Sequence, residues 1–164
     1  MRLCLLLVLM MMSLSGCAGV FSDETLNRVE WDVPFSVLRV QPEQYEGRQF
    51  LLGGAIVAVR NGRHGGELEV AQLSTDDNGH IKDNPTSGGR FLARSGDFLD
   101  PAIFRRGMLV SLVGPVTGKE VRELAGRDYA YPVLEIREIH LWRPEERSRE
   151  PRFHFGFGIG TFIH

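Results

Sequence analysis

The fold class follows from residues 50–73, which read FLLGGAIVAVRNGRHGGELEVAQL. Residues 50–59 are rich in branched side chains, and the paired glycines within them suggest a bulge or a sharp bend. Asn61-Gly62 is the dipeptide of a tight hairpin turn. Residues 67–73 then alternate polar with apolar side chains, as a half-buried strand does. The stretch therefore predicts two antiparallel strands joined at this dipeptide.

Three further strands follow, and the candidates are residues 90–94, 108–116 and 131–142. Before the second of these, Asp100 and Pro101 fit the N-cap and the first position of a short helix of one or two turns. Five short strands with a helix between strands three and four predict an all-β, OB-like Greek-key barrel. A β-sandwich is the alternative, although it usually has about seven strands.

The segments around the strands are expected to be irregular. Residues 74–89 are dense in Asp, Asn, Gly and Pro, and we expect a surface loop there. Residues 35–40 precede a proline, which favours a lead-in to the first strand over a long helix. Residues 43–45 fit one short turn closed by Gly47.

The first residues have the layout of an export signal. Arg2 supplies a positive charge, and residues 5–12 form an apolar run that is much shorter than the roughly 20 residues of a membrane-spanning helix. Residues 14–17, LSGC, are similar to the lipobox of bacterial lipoproteins, at which cleavage leaves Cys17 as the N-terminus for acylation. The alternative is an ordinary signal with an incidental cysteine.

Cysteine chemistry favours the lipid interpretation. Cys4 lies in the segment that cleavage would remove, so the mature chain would hold one sulfur and no internal disulfide. Acylation would remove an exposed thiol that is open to oxidation, and more than one acyl chain gives durable membrane binding. The predicted organisation is a signal peptide at 1–16, a lipid-anchored tether at 17–30, a β-barrel domain at 31–143 and a C-terminal tail at 144–164.

The tail combines charged residues with an alternation of aromatic and small ones. As a strand, it would place Phe153, Phe155 and Phe157 on one face. One interpretation is a segment that contacts the membrane or a partner. The other is a tail that its glycines keep loose or that pairs with a sheet edge.

The sequence offers little catalytic chemistry. A formal net charge of -2 without a basic stripe argues against a nucleic-acid partner. We expect no enzyme and no cofactor, because the chain has no Gly-x-Ser-x-Gly elbow, P-loop or Cys-x-x-Cys motif. We expect no metal site, because these five histidines have no ligand spacing: His64, His80, His140, His154 and His164.

Two groups of residues are weaker candidates for a site. Glu67 and Glu69 share a strand face and resemble a carboxylate pair, but an alternating strand gives this pattern by itself, and we expect a solvated face. Trp31, Tyr129 and Tyr131 are candidates for stacking on a ligand or partner, with core packing or strand-edge filling as the favoured alternative.

Several segments, in order along the chain, carry a family resemblance. They are the lipobox through Cys17, Tyr45-Glu46-Gly47, Gly53-Gly54, Asn61-Gly62, Gly89-Arg90-Phe91-Leu92-Ala93, Gly96-Asp97-Phe98-Leu99-Asp100-Pro101, Gly107, Gly114, Tyr129-Ala130-Tyr131-Pro132 and His140-Leu141-Trp142. Together they resemble the Slp family of Gram-negative outer-membrane lipoproteins, named for starvation-inducible members. The resemblance implies a triacylated cysteine, an outer-membrane location that Ala18 also favours, a link to envelope stress or stationary phase, and no established catalytic residue.

Three functional hypotheses follow. The first is a non-enzymatic lipoprotein, held on the membrane by its N-terminal lipid, whose domain stabilises or contacts another envelope component. The alternative is an OB-like module that binds an envelope oligosaccharide or lipid. A hydrolase with an unrecognised site is a third hypothesis.

Overall fold

The computed structural model describes residues 20–143. The helical elements are α1 (Asp23–Leu26), α2 (Phe35–Val40) and a short 3-10 helix (Pro42–Tyr45). The strands are β1 (Gln49–Gly62), β2 (Gly65–Leu73), β3 (Gly89–Ser95), β4 (Leu109–Leu124), β5 (Arg127–Glu135) and β6 (Glu138–Trp142).

The sheet closes on itself. Its strand order is β1-β2-β3-β5-β4, and β4 pairs back onto β1. All of these neighbours are antiparallel except β3 and β5, which pair in parallel. This confirms the predicted all-β, OB-like barrel, whose interior is filled by buried side chains such as Leu68, Val70, Phe91 and Leu134.

The predicted fifth strand, 131–142, is divided into two elements that lie end to end along β4. β5 pairs with residues 116–124 of β4, and β6 pairs with residues 109–113. At the junction, a Cβ on Gly114 would lie 1.8 Å from the carbonyl oxygen of Glu135, so only glycine fits there.

β4 extends well past the predicted 108–116 and forms a long hairpin with β5. We call residues 117–132 of this hairpin the arm. It turns at Ala125 and Gly126, both of which have positive φ. Residues 117–130 of the arm are the part of the sheet that the sequence prediction missed, and the arm reaches the site described below.

The turn between β1 and β2 differs from the prediction. The antiparallel pairing is confirmed, but Gly62 pairs with Gly65, so the turn lies at residues 63–64 rather than at Asn61-Gly62. The Asn61 side chain has another role, because its amide donates to the carbonyl oxygen of Leu99 at 2.8 Å and its Oδ1 accepts from the N–H of Leu99 at 2.9 Å. The asparagine therefore fastens the hairpin to the segment that follows β3.

The segment between β3 and β4 contains one hydrogen-bonded turn in place of a full helix. The Asp100 carboxylate accepts from the N–H of Ala102 at 2.8 Å, as predicted for a cap, and the carbonyl of Asp100 accepts from the N–H of Phe104 at 2.8 Å. The turn ends because Gly107, at φ +85°, donates its N–H to Ile56 on β1.

The ordered structure begins earlier than the predicted boundary at residue 31. Phe21 and Val29 are buried against Leu51 and Val113 on the outside of the barrel. Residues 20–30, predicted to be part of a tether, are therefore packed on the domain. Their few apolar side chains are spread among polar ones, which is why composition alone indicated a linker.

Candidate functional site

The outer face of β2 and β3 is the candidate binding site, because OB barrels bind oligonucleotides and oligosaccharides on these strands. Side chains alternate across a strand, so the neighbours of the core residues Leu68 and Phe91 point outward. On this face, β2 carries Glu67 and Glu69, and β3 carries charged side chains in register with it.

The arm packs against this face through a bidentate ion pair. Arg122 donates from its two terminal nitrogens to the two Glu67 oxygens at 2.7 and 2.8 Å. Arg94 also donates to Glu67, at 3.0 Å, and both arginines contact Glu120. These four side chains join β2, β3 and β4 outside the barrel.

Glu69 is the centre of a second cluster. Its carboxylate accepts hydrogen bonds from Arg90 at 2.7 Å, from Arg60 at 3.1 Å and from the Tyr131 hydroxyl at 3.2 Å. Its side chain is only 8% exposed. A carboxylate this buried is costly without partners, and the three donors from β1, β3 and β5 supply them.

The network keeps its acids ionised. Burial raises the pKa of Glu67, but hydrogen bonds from Arg122 and Arg94 outweigh it and hold the pKa below its ordinary value. The pKa of Glu69 is lowered in the same way, against burial, by its three donors. Hydrogen bonds from Arg122 lower the pKa of Glu120. None of these acids has the raised pKa that a general acid needs at neutral pH.

The expectation of a solvated face at Glu67 and Glu69 is therefore wrong. Alternation in β2 places both side chains outside the core, as expected, but the arm and four arginines then cover them. We refer to this group, Arg60, Glu67, Glu69, Arg90, Arg94, Glu120 and Arg122, as the charged network.

The aromatic candidates lie in different surroundings. Tyr131 is buried beside Leu92 and Val133, and its ring lies 4.7 Å from that of Tyr129. The Tyr129 hydroxyl accepts from the Arg90 N–H at 2.8 Å. Both tyrosines therefore fix the arm to β3, and the buried Tyr131 ring offers no face for stacking. Trp31 is 48% exposed in the segment before α2.

The remaining candidates lie elsewhere. Cys17, Phe153, Phe155 and Phe157 are outside the described residues, as are two of the histidines. His80 and His140 flank the Trp142 ring, at 4.9 and 4.4 Å between centroids. Within residues 20–143, no group of three His, Cys, Asp or Glu side chains could hold a metal ion.

A cleft of about 340 Å³ lies at one end of the charged network. The β1–β2 turn and the end of β3 line it, with Arg60, His64, Glu67 and Arg94 among the contributing residues. Arg60 and Arg94 are already paired with glutamates there.

Comparison with known proteins assigns the family. The family model described as outer membrane lipoprotein Slp family matches residues 14–159. The chain belongs to this family. It is therefore an outer-membrane lipoprotein of the Slp family, as the ordered motifs predicted.

Two relatives from Escherichia coli strain K12 are similar to this Slp-family chain. The uncharacterized lipoprotein YeaY is 34% identical over 101 residues, which are 62% of this chain and 52% of YeaY. Outer membrane protein Slp is 25% identical over 150 residues, which are 91% of this chain and 79% of Slp. The chain thus spans about half the length of the first relative and most of the second.

Solved structures that are similar to this chain include single-stranded DNA-binding proteins. Rim1 from S. cerevisiae mitochondria is 16% identical, with a TM-score of 0.34, and the match covers 57% of this chain and 92% of Rim1. A small single-stranded DNA-binding protein from Streptomyces coelicolor is 13% identical, with the same TM-score and the same coverage of both chains. Among the described residues of the Slp-family chain, no helix is long and apolar enough to cross a bilayer.

Proposed function

We propose that this lipoprotein is a non-enzymatic envelope component, anchored by lipid on Cys17, whose barrel stabilises or contacts another component at the membrane surface. The observation that supports this most is the packing of the N-terminal segment onto the barrel. A chain that leaves the lipid and docks at once holds its domain close to the bilayer.

The docking is made by both apolar and polar contacts. Phe21 is buried four residues after Cys17, a span of at most about 14 Å. Ser22, beside α1, and Thr25, in α1, donate hydrogen bonds from their hydroxyls to the Glu138 carboxylate on β6. The hydrogen bonds also lower the pKa of Glu138, which keeps the acceptor charged.

The anchor is tested by mass spectrometry of the mature N-terminus and by membrane fractionation. We expect acyl mass on Cys17, an outer-membrane location for the wild type, and release of Cys17→Ser to the soluble fraction. Unchanged membrane association of Cys17→Ser, or a native chain that keeps residues 1–16, would contradict the proposal.

The role itself is tested by deletion and by crosslinking in the envelope. We expect a reproducible crosslinked partner and weakened envelope integrity in the deletion strain, most of all in stationary phase. An Arg122→Ala/Glu120→Ala variant, in which the arm is loosened, tests whether the partner contacts the outer face of β2 and β3. No partner and an unaffected envelope would contradict the role but leave the anchor intact.

An alternative function is the binding of an envelope oligosaccharide or lipid, and the cleft beside the charged network favours it. The arm occupies the outer face of β2 and β3, so an extended ligand would have to displace it. Under this alternative, we expect weak but saturable binding of envelope glycans by the wild type, and no saturable binding would contradict it. Tighter binding by Arg122→Ala/Glu120→Ala than by the wild type would support this alternative.

A further inference from the structure

The cleft at the end of the charged network contains an arginine that the fold itself does not use. Arg63 lies in the turn between β1 and β2 and lines the cleft. Its side chain forms no ion pair and no hydrogen bond with another residue of the described range 20–143. His64, its neighbour in the turn, also lines the cleft and adds a ring N–H donor. The turn therefore brings hydrogen-bond donors to the cleft without acceptors of its own.

The other two arginines of the cleft keep part of their hydrogen-bonding capacity. Arg60 donates from one terminal nitrogen to Glu69 at 3.1 Å. Arg94 donates from Nε to Glu67 at 3.0 Å and from one terminal nitrogen to Glu120. A guanidinium carries five N–H donors, so these bonds leave donors over on both arginines. Their side chains are 52% and 45% exposed, which lets these donors reach a ligand in the cleft.

The cleft has more positive than negative charge. Three arginines and one glutamate line it, an excess of two positive charges. The glutamate is Glu67, and both of its oxygens are already bound by Arg122 of the arm, at 2.7 and 2.8 Å. The next acid along the chain from β3, Asp97, is not among the lining residues. One doubly charged anion would therefore balance the charge of the lining.

The walls of the cleft are fixed by the fold. Gly65 has φ +119°, and a Cβ there would overlap with the carbonyl oxygen of Ser95, so the turn lies directly against the end of β3. The Asn61 side chain also binds both backbone polar groups of Leu99. No residue of the arm is among those that line the cleft. A ligand can therefore enter the cleft while the arm stays in place.

We propose that the cleft binds a phosphomonoester group, carried either by a lipid headgroup or by a soluble molecule. Such a group has a charge of about −1.5 to −2 at neutral pH, which matches the excess charge of the lining. Its oxygens fit the planar donor fork of a guanidinium. The volume of about 340 Å³ is at the small end of the range for ligand pockets and fits a headgroup, not an extended glycan.

This assignment names a ligand class for the alternative function above and rests on it. It differs from the binding of an extended glycan because it does not require the arm to move. It does not depend on the lipid on Cys17 or on a protein partner.

Calorimetric titration with glycerol 3-phosphate tests the site. The protein is the full mature chain with Cys17→Ser, which removes the lipid. We expect saturable binding of one molecule per chain. Arg63→Ala should weaken it by about tenfold or more, because charge-assisted hydrogen bonds are lost. No saturable binding by the parent chain would overturn the proposal.

The matched control is Arg127→Ala. Arg127 is an exposed arginine at the turn of the arm, and it does not line the cleft. This variant should bind glycerol 3-phosphate as the parent chain does. Because both arginines are exposed, both variants should fold, which circular dichroism checks. Equal weakening by Arg63→Ala and Arg127→Ala would show attraction to the general surface charge and would overturn the proposal.

Vesicle flotation distinguishes the two sources of the phosphate. Phosphatidylcholine vesicles that contain phosphatidic acid present a phosphomonoester, whereas those that contain phosphatidylglycerol present a singly charged diester. Flotation with the phosphatidic acid vesicles alone, lost in Arg63→Ala, would assign the site to a lipid headgroup. Binding of glycerol 3-phosphate without flotation would assign it to a soluble ester. Flotation with both vesicles that Arg63→Ala leaves unchanged would overturn the assignment to a lipid.

Titration with an uncharged envelope glycan separates this proposal from the alternative function. Saturable glycan binding without any response to glycerol 3-phosphate would overturn the phosphate site and leave the alternative function standing. Binding of glycerol 3-phosphate without glycan binding would support the site and restrict the alternative function to phosphorylated ligands.

Discussion

The two faces of β2 and β3 are both covered, but by opposite means. Toward the barrel interior, Leu68 and Phe91 are fully buried in an apolar core. Toward the outside, Glu67 and Glu69 are almost as well covered, and arginines from β1, β3 and β4 surround them. The core is stabilised by the removal of apolar area from water. The charged network is stable only while every charge in it has a partner.

Buried side chains on the two faces of this sheet therefore respond to mutation in two different ways. A core side chain can be trimmed, and the loss scales with the volume of the cavity that remains. A member of the charged network cannot be trimmed without leaving a half-buried charge unpaired. Mutations on the two faces therefore separate these mechanisms.

A mutation on the inner face should cause the largest loss of stability. Phe91→Ala removes a fully buried ring that lies 6.1 Å from the ring of Phe35, and we expect the free energy of unfolding to fall by about 3–5 kcal/mol. Urea denaturation followed by circular dichroism measures it. Phe98→Ala, at an exposed phenylalanine, is the matched control, with a loss under about 1 kcal/mol. Similar losses for both variants would contradict this account of the core.

A mutation on the outer face should cause the second-largest loss of stability. Glu69→Ala leaves Arg90 and the Tyr131 hydroxyl without their acceptor, and we expect a loss of about 2–3 kcal/mol, below the value for a fully buried pair because the arginines reach solvent. The same urea experiment measures it. Glu69→Gln, which keeps an acceptor, should lose less. A neutral Glu69→Ala would show that the network contributes nothing to stability.

Acid should weaken the outer face selectively. The pKa values of Glu67, Glu69 and Glu120 lie below the ordinary 4.5, so their contribution to stability is full above that pH. It is lost as the pH falls through the lowered values. We expect the urea midpoint of the wild type to drop more steeply below pH 4.5 than that of Glu67→Gln/Glu69→Gln. Parallel curves would contradict the assignment.

An exposed ion pair should give the smallest effect. Arg28 and Glu24 lie one turn apart at 2.7 Å, with side chains 63% and 79% exposed. Glu24→Gln should change the free energy of unfolding by less than about 0.5 kcal/mol, because water screens such pairs. A loss comparable to that of Glu69→Ala would mean that burial does not distinguish the two kinds of pair.

The barrel could be predicted from local patterns. Alternation in residues 67–73 and the branched run at 50–59 gave two strands with the right pairing, and the Asp100 cap was found in its predicted place. The turn at Asn61-Gly62 was placed two residues early, because local propensity did not include the pull of Leu99 on the asparagine side chain.

The charged network could not be predicted because its members are distant in sequence. Glu67 meets Arg122 only after the arm folds over β2 and β3, and a single sequence holds no record of that approach. A local signal was present at the arm, where Glu120 and Arg122 alternate before the glycine turn at Ala125-Gly126. The buried Phe21 escaped prediction for the same reason, since its partners come from β1 and β4.

The attachment of α1 to β6 has a mechanical consequence. Glu138 holds Ser22 and Thr25, while Phe21 is seated on strands that belong to the closed sheet. A force applied to the chain at Phe21 is therefore transmitted directly to the closed sheet, and residues 22–29 are extended only after these contacts break.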